Sequence, residues 1–74
     1  MSFGERLRSE RKKNNLSAQA LAQLCEVSRS YITLIENGTR LPGKKTLPKI
    51  ANALKIKINI IINWYLEDIR ERLT

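Results

Sequence analysis

Histidine is absent from this sequence of 74 residues, and Cys25 is its only cysteine. A single cysteine excludes an internal disulfide and a cysteine-based metal site. Without histidine, the chain lacks the commonest catalytic base and the commonest zinc ligand. The sequence also shows no glycine-rich loop that would cradle phosphates and no converging carboxylates. We therefore expect no enzymatic activity, no metal and no cofactor.

Long apolar runs and a secretion signal are also missing. The N-terminus is charged from Glu5 onward, which is unlike a signal peptide. The longest apolar stretch, residues 58–66, is interrupted by Asn59 and Asn63 and is too short to span a bilayer. The length allows one domain at most. These features predict a reduced, soluble, cytoplasmic domain with no membrane partner.

Acidic residues are half as frequent as basic ones, with seven Asp and Glu against fourteen Lys and Arg. The resulting net charge of +7 is uneven, because residues 27–57 hold seven basic groups and one acidic group. Residues 58–74 hold two basic and three acidic groups. A basic middle beside a nearly neutral tail indicates a polyanion-binding face. A generally basic, solvated surface is the alternative that charge alone leaves open.

Apolar residues recur at helical spacing along most of the chain, and serines stand where helices would begin. Ser2 and Glu5 have the spacing of a capping box, while Ser17 and Ser28 are suited to cap two later helices. Gly38 suits the left-handed position after a helix end. The expected helices are residues 3–13, 18–25, 29–36, 46–54 and 59–73.

The tail gives two signals. Residues 55–60 alternate in the manner of a half-buried strand, which would pair across a dimer. From Ile58 onward, however, the apolar residues repeat every three or four positions, which favours a helix. We predict the helix and keep the strand as the alternative.

The second and third helices have the features of a helix-turn-helix. The first of the pair carries a small residue, Ala22, which permits a close helix crossing. The branched Val27 follows the turn, and Ile32 and Ile35 face inward from the next helix. The outer face of that helix is then free to enter a major groove.

These residues resemble the Cro/phage-repressor (XRE-type) helix-turn-helix family over roughly residues 5–58. The matching motifs are Leu16-Ser17, Leu21-Ala22, Val27 to Ile32, Ile35 to Gly38, and Leu47 to Leu54 with Ile50, Ala51 and Ala53 between them. The resemblance implies an all-α, compact, lambda-repressor-like domain of four to five helices. It also implies a bacterial or phage-derived repressor that binds double-stranded operator DNA in the nucleoid.

The resemblance assigns two sets of DNA contacts. Arg29 is the strongest expected base reader, because a guanidinium pairs bidentately with guanine. The full expected base-reading set is Ser28, Arg29, Ser30, Thr33 and Leu34. The expected phosphate-contacting set is Gln19, Tyr31, Asn37, Gly38, Thr39, Arg40, Lys44 and Lys45.

Four positions have other implied roles or depart from the family. Arg11 is expected to pair with Glu36, which supports the recognition helix without touching DNA. Glu26 stands in the turn where the family usually has glycine, at a position that often needs positive φ. Ala18 stands where relatives carry a phosphate-contacting glutamine, and Gln19 is the nearest substitute.

The tail beyond residue 58 is expected to form the dimer interface. We divide the chain into a DNA-binding part, residues 1–58, and a dimerisation helix, residues 59–74. Trp64 and Leu66 are expected at the surface, while Ile62 and Ile69 pack back on the domain; the alternative is that Trp64 completes the core. The expected interface is Ile58, Ile60, Ile61, Trp64 and Tyr65. The competing function is a protein-interaction module, such as an antitoxin or a bridging coactivator, that binds a regulatory protein partner.

Overall fold

Five helices and no strand make up the computed structural model, which describes residues 1–74. The helices are α1 (Phe3–Lys13), α2 (Ala18–Leu24), α3 (Arg29–Glu36), α4 (Thr46–Leu54) and α5 (Ile58–Leu73). The all-α prediction is confirmed, and each predicted helix boundary lies within one residue of the observed one. None of the five helices combines the length and apolarity needed to cross a bilayer.

Serine side chains begin the first three helices. The hydroxyl oxygens of Ser2, Ser17 and Ser28 each accept a hydrogen bond from the backbone N–H three residues later, at 3.0 to 3.1 Å. Glu5 completes a capping box, because its carboxylate accepts from the Ser2 N–H at 3.0 Å. Each cap satisfies one of the amides that a helix start leaves free. The short helices therefore start at positions that the sequence itself specifies.

Each of the first four helices is followed, within two residues of its end, by a residue with a left-handed backbone. Positive φ occurs at Asn15, Glu26, Gly38 and Lys55. In each case the following N–H reaches back to a carbonyl near the helix end, as from Val27 to Ala22 at 3.0 Å. This arrangement closes each helix and turns the chain sharply. Because Lys55 ends α4 and α5 begins three residues later, the strand alternative for residues 55–60 is wrong.

The core lies where the five helices meet, and α2 packs on α3. α1 packs on α3 and α5, while α4 packs on α2 and α5. The buried apolar residues are Phe3, Leu7, Leu21, Ala22, Cys25, Ile32, Ile35, Ile50, Ala51, Leu54, Ile61 and Trp64. Burial raises the pKa of the Cys25 thiol, although Lys49 acts in the opposite direction. Cys25 thus serves as a small apolar core residue.

The inner face of α5 differs from the expectation. Trp64 is only 8% exposed, because its ring packs edge-on against Phe3 with ring centroids 6.2 Å apart. Tyr65 contacts the same ring at 6.4 Å, and Ile61 is fully buried. The placement of Trp64 at the surface was wrong, and the alternative that it completes the core is correct. Ile61 and Trp64 are therefore unavailable for direct contact with a second chain.

The outer face of α5 carries the apolar surface instead. Ile58, Ile62 and Leu66 are 42%, 40% and 52% exposed, and Leu73 at the end of the helix is 83% exposed. The expectation that Ile62 packs back on the domain was wrong. Residues at these spacings, together with the partly buried Ile69, stay within about 80° around a helix. We call Ile58, Ile62, Leu66, Ile69 and Leu73 the α5 stripe.

Candidate nucleic-acid interface

The turn between α2 and α3 sets the direction of the recognition helix. Cys25 and Ala22 are buried beneath it, and the Val27 N–H bonds back to the Ala22 carbonyl. Glu26 occupies the left-handed position with φ of 58°. This is the positive φ that the family resemblance led us to expect here, and a residue with a Cβ is strained in this conformation. The Glu26 carboxylate points outward and lies 3.3 Å from the Lys49 ammonium, which partly neutralises it.

The inner face of α3 is held against α1 at close range. Ile32 and Ile35 are buried, and α1 crosses the end of α3 at Gly4. A Cβ added to Gly4 would lie 2.2 Å from the Ile35 carbonyl oxygen and 2.8 Å from that of Glu36. Only glycine permits this backbone approach. The role of Gly4 could not be predicted from the sequence, because nothing in its neighbourhood along the chain signals a contact with residues 35 and 36.

An ion pair reinforces the same crossing. Arg11 on α1 donates to both carboxylate oxygens of Glu36, from Nε at 2.7 Å and from Nη2 at 3.0 Å. Its third donor, Nη1, bonds to the Leu16 carbonyl at 2.8 Å. The hydrogen bonds to Glu36 raise the pKa of Arg11, against a smaller effect of desolvation. The pair thus fixes the last turn of α3 relative to α1.

The outer face of α3 has no partner elsewhere in the chain. Arg29, Ser30 and Thr33 are exposed, and Leu34 is 37% exposed. Together these four side chains line a shallow depression on the surface. Ser28 precedes them at the helix cap. The structure therefore brings four of the expected base readers to the outer side of α3, with Ser28 at the cap that precedes them.

Hydrogen bonds within the chain determine which donors and acceptors the Ser28 and Thr33 hydroxyls can present outward. The Ser28 hydroxyl oxygen accepts from the Tyr31 N–H, so its proton remains free to donate. The Thr33 hydroxyl donates to the Arg29 carbonyl at 3.1 Å. Because that proton is used, Thr33 presents only an acceptor oxygen and a methyl group outward.

The loop after α3 is fixed by its own backbone. The amides of Asn37, Gly38, Thr39 and Arg40 all donate to carbonyls of α3 between Thr33 and Ile35. Gly38 has φ of 80°, in agreement with its predicted left-handed position. The Gly38 N–H is bonded to the Ile35 carbonyl at 3.1 Å and is therefore not free to contact a phosphate. The side chains of Asn37, Thr39 and Arg40 remain exposed. We call residues 37–40 the α3 loop.

Tyr31 links this loop to the chain that follows. The Arg40 guanidinium lies over the Tyr31 ring, 5.2 Å from its centroid. The Tyr31 hydroxyl oxygen accepts from the Gly43 N–H at 3.1 Å, which leaves the phenolic proton free to donate. Lys44 and Lys45 follow on the surface, and Gln19 is exposed at the start of α2. The expected donors thus come from three parts of the fold: Gln19 from α2, Tyr31 from α3, and Arg40, Lys44 and Lys45 from the segment between α3 and α4.

Two further polar residues were missed by sequence reasoning. Asp68 on α5 is 3% exposed and accepts from the Phe3 N–H at 2.7 Å. Arg72, one turn later, bonds to Asp68 and donates to the Gly38 carbonyl at 3.0 Å. Their i, i+4 spacing is the one available signal, but it is equally common on solvated helix faces.

The family model described as Helix-turn-helix matches residues 7–61. The HTH-type transcriptional repressor RghR of Bacillus subtilis is 40% identical over 73 residues, covering 95% of this chain and 54% of the relative. The restriction-modification controller protein C.AhdI of Aeromonas hydrophila has a TM-score of 0.75 at 37% identity, over 80% of this chain and 89% of that one. The P22 c2 repressor in complex with a synthetic operator has a TM-score of 0.78 at 28% identity, over 82% and 92%.

The chain belongs to the XRE-type helix-turn-helix family of DNA-binding regulators. The predicted family and the lambda-repressor-like fold are both confirmed. The chain spans about half the length of the RghR repressor, 54%.

Proposed function

We propose that this protein is a sequence-specific transcriptional repressor that binds a palindromic operator in double-stranded DNA as a homodimer. The carrying observation is the outer face of α3, where four exposed side chains stand together and none has a hydrogen-bond or ion-pair partner outside α3. An α-helix fits the major groove, where each base pair presents a distinct pattern of donors and acceptors. Such a regulator works beside the chromosome, in the cytoplasm of a bacterium.

The three distinct chemistries on α3 define what it reads. Arg29 pairs with the O6 and N7 atoms of guanine, worth about 1–3 kcal/mol of discrimination. Thr33 accepts from the amino group of adenine or cytosine, because its own proton is held by the Arg29 carbonyl. Leu34 contacts a thymine methyl group, and Ser30 supports these contacts with its hydroxyl. Ser28 lies at the helix start, where its free proton is suited to a base edge or a neighbouring phosphate.

We assign the phosphate contacts to donors on α2, on α3 and on the segment between α3 and α4. The Asn37, Thr39 and Arg40 side chains approach the DNA backbone on one side, with Tyr31, Lys44 and Lys45 beyond them. Gln19 approaches the DNA backbone from α2. Gly38 contributes by adopting the left-handed backbone that the loop requires. Such contacts fix the position of the protein on the duplex without reading sequence. Each neutralised phosphate makes binding more sensitive to salt.

A second copy of the chain is the proposed partner of α5. Four of the five residues of the α5 stripe are exposed, and monomeric domains seldom expose an apolar surface of this kind without a use. Residues 58–74 carry a net charge of −1 in a chain of +7, so two copies repel each other least along this segment. The interface is thus redefined from the expected set. Ile58 stays in it, Tyr65 lies at its edge, and Ile60 faces another side of the helix.

Selection of bound duplexes from a random DNA pool tests the proposal, at a salt concentration of about 150 mM where exposed charges are well screened. We expect a two-fold symmetric motif. The Arg29→Ala variant should relax one position in each half-site and weaken binding to the selected site by about 5- to 150-fold. Arg70→Ala, which removes the same charge from the exposed side of α5, is the matched control.

Binding without any sequence motif, and lost as salt rises, would contradict sequence-specific reading. A motif that is unchanged by Arg29→Ala would remove Arg29 from the base-reading set. The competing function, a module that binds a regulatory protein, is favoured by the same α5 stripe. It predicts a chain that stays monomeric alone and selects no motif.

A further inference from the structure

Asp68 is the most deeply buried charged residue of the fold, at 3% exposure. It lies on the inner face of α5, and its Oδ2 atom accepts the Phe3 N–H of α1 at 2.7 Å. That amide is one of those left free at a helix start, where a negative charge also interacts favourably with the helix dipole. Burial acts to raise the pKa of Asp68, but the hydrogen bonds from Phe3 and Arg72 hold it below its ordinary value.

Arg72 extends this contact to α3. Its Nε atom pairs with the other carboxylate oxygen of Asp68, and its Nη2 atom donates to the Gly38 carbonyl at 3.0 Å. Gly38 follows the C-terminal end of α3, where the helix dipole favours a positive charge. Positive and negative charge therefore alternate across these contacts: the positive end of the α1 dipole, the Asp68 carboxylate, the Arg72 guanidinium and the negative end of the α3 dipole. Each neighbouring pair attracts.

The contact between Arg72 and the Gly38 carbonyl matters because of where Gly38 lies. It lies in the α3 loop, whose four amides are already bonded to α3. The loop is therefore a rigid extension of the helix end, and a contact to the Gly38 carbonyl fixes the place of Asn37, Thr39 and Arg40 as well. The Arg11–Glu36 pair and the Gly4 crossing hold the helix, whereas Arg72 holds the loop.

We propose that Arg72, oriented by Asp68, is a positioning residue that sets the α3 loop for contact with DNA phosphates. The inference rests on the proposed function, because it assigns these phosphate contacts to the loop. Neither Asp68 nor Arg72 touches DNA. As a consequence, α5 contributes to operator affinity indirectly, by holding the α3 loop in place.

Asp68→Asn separates positioning from simple charge, because the two effects have opposite signs in this variant. Asp68→Asn removes a negative charge, so long-range electrostatics would tighten DNA binding. Loss of positioning would weaken binding instead. We expect Asp68→Asn and Arg72→Gln each to weaken binding to the selected duplex by roughly 3- to 10-fold. Arg70→Gln is the matched control, because it removes the same charge from the same helix without touching the loop.

A double-variant experiment tests whether the effect passes through the loop. In a background carrying Thr39→Ala and Arg40→Gln, the Arg72→Gln substitution should cause little further loss. In a Ser30→Ala background it should keep its full effect, because Ser30 lies on the base-reading face. All affinities are measured well below each variant's melting temperature, so that the folded fraction is the same.

Amide hydrogen exchange supplies a readout that needs no DNA. The Thr39 and Arg40 amides should exchange faster in Arg72→Gln than in Arg70→Gln, while the Ile35 amide stays protected. The inference is overturned if Asp68→Asn binds DNA more tightly, if Arg72→Gln behaves as Arg70→Gln, or if the loop background leaves its effect unchanged. A wild-type chain that selects no duplex would refute the proposed function itself, with the exchange rates still reporting on the loop contact.

Discussion

Helices α3 and α5 each bury one face and leave the other free, but the two free faces differ in chemistry. α3 presents Arg29, Ser30 and Thr33, whose hydrogen-bonding groups are solvated in the free protein. α5 presents the α5 stripe, which is apolar along its length. A polar face loses little by facing water and suits a groove lined with donors and acceptors. An apolar face gains by leaving water and suits a second apolar helix. The comparison therefore predicts different partners for two helices of the same small domain.

The largest expected effect comes from removing the inner support of α3. Glu36→Ala leaves the Arg11 guanidinium with the Leu16 carbonyl as its only bonded acceptor, at 12% side-chain exposure. Loss of one partner from a buried pair costs about 3–5 kcal/mol. We expect urea unfolding to show a loss of this size, with weaker DNA binding. Glu10→Ala, which breaks the exposed pair with Lys13, is the control and should change stability little. Equal losses in the two variants would show that the Arg11 pair has no special role.

The outer face of α5 is tested by a charge placed inside the proposed interface. Ile62→Glu would bury an unpaired carboxylate between two copies, and we expect it to raise the dimer dissociation constant at least about tenfold. Asn63→Glu adds the same charge one residue away, beside the α5 stripe, and should have a small effect. Sedimentation velocity over a concentration series measures both. A wild-type chain that is monomeric throughout the series would exclude this interface.

A smaller effect is expected at the turn between α2 and α3. Glu26→Gly relieves left-handed strain of about 1–2 kcal/mol but loses about 0.5–1 kcal/mol to the greater freedom of glycine when unfolded. We expect a net gain of about 0.5–1 kcal/mol, measured as a rise in melting temperature of about 2–8 °C. Glu26→Gln removes the ion pair with Lys49 and keeps the strain, so its melting temperature should not rise above that of the wild type. A gain in both variants would point to the charge and not to the backbone.

The smallest expected effect is a difference in acid sensitivity. Because folding lowers the pKa of Asp68, its contribution to stability is full above the unfolded value and is lost as pH falls through the folded one. Glu5 also has a lowered pKa, through its hydrogen bonds with Ser2, and contributes in the same direction. Unfolding free energies between about pH 5 and pH 2 should fall less steeply in Asp68→Asn than in the wild type. Parallel slopes would mean that Asp68 carries no such linkage.

Local signals allowed most of the fold and of the α3 face to be predicted. Ser17 and Ser28 cap helices through bonds that reach three residues, and Ile32 and Ile35 mark the inner face of α3 by their spacing. Once that face is known, Arg29, Thr33 and Leu34 necessarily lie opposite it. Family resemblance supplied their roles, but their shared side of the helix follows from the helical period alone.

The face that α5 buries could not be predicted in the same way. Its apolar residues extend around much of the helix, so several inner faces satisfy the spacing equally well. The observed inner face is the one that packs on Phe3 of α1, whose ring contacts the rings of both Trp64 and Tyr65. That contact depends on residues more than sixty positions apart, which no local pattern records.

The sequence by itself determined five helices, their boundaries and the polar face of α3, because capping bonds and helical periodicity act over a few residues. Only the tertiary structure decided the inner face of α5, the need for glycine at residue 4 and the contacts of Asp68 and Arg72. Each of these depends on the distance between two helices. That distance is set by how the whole core packs, and not by any segment alone.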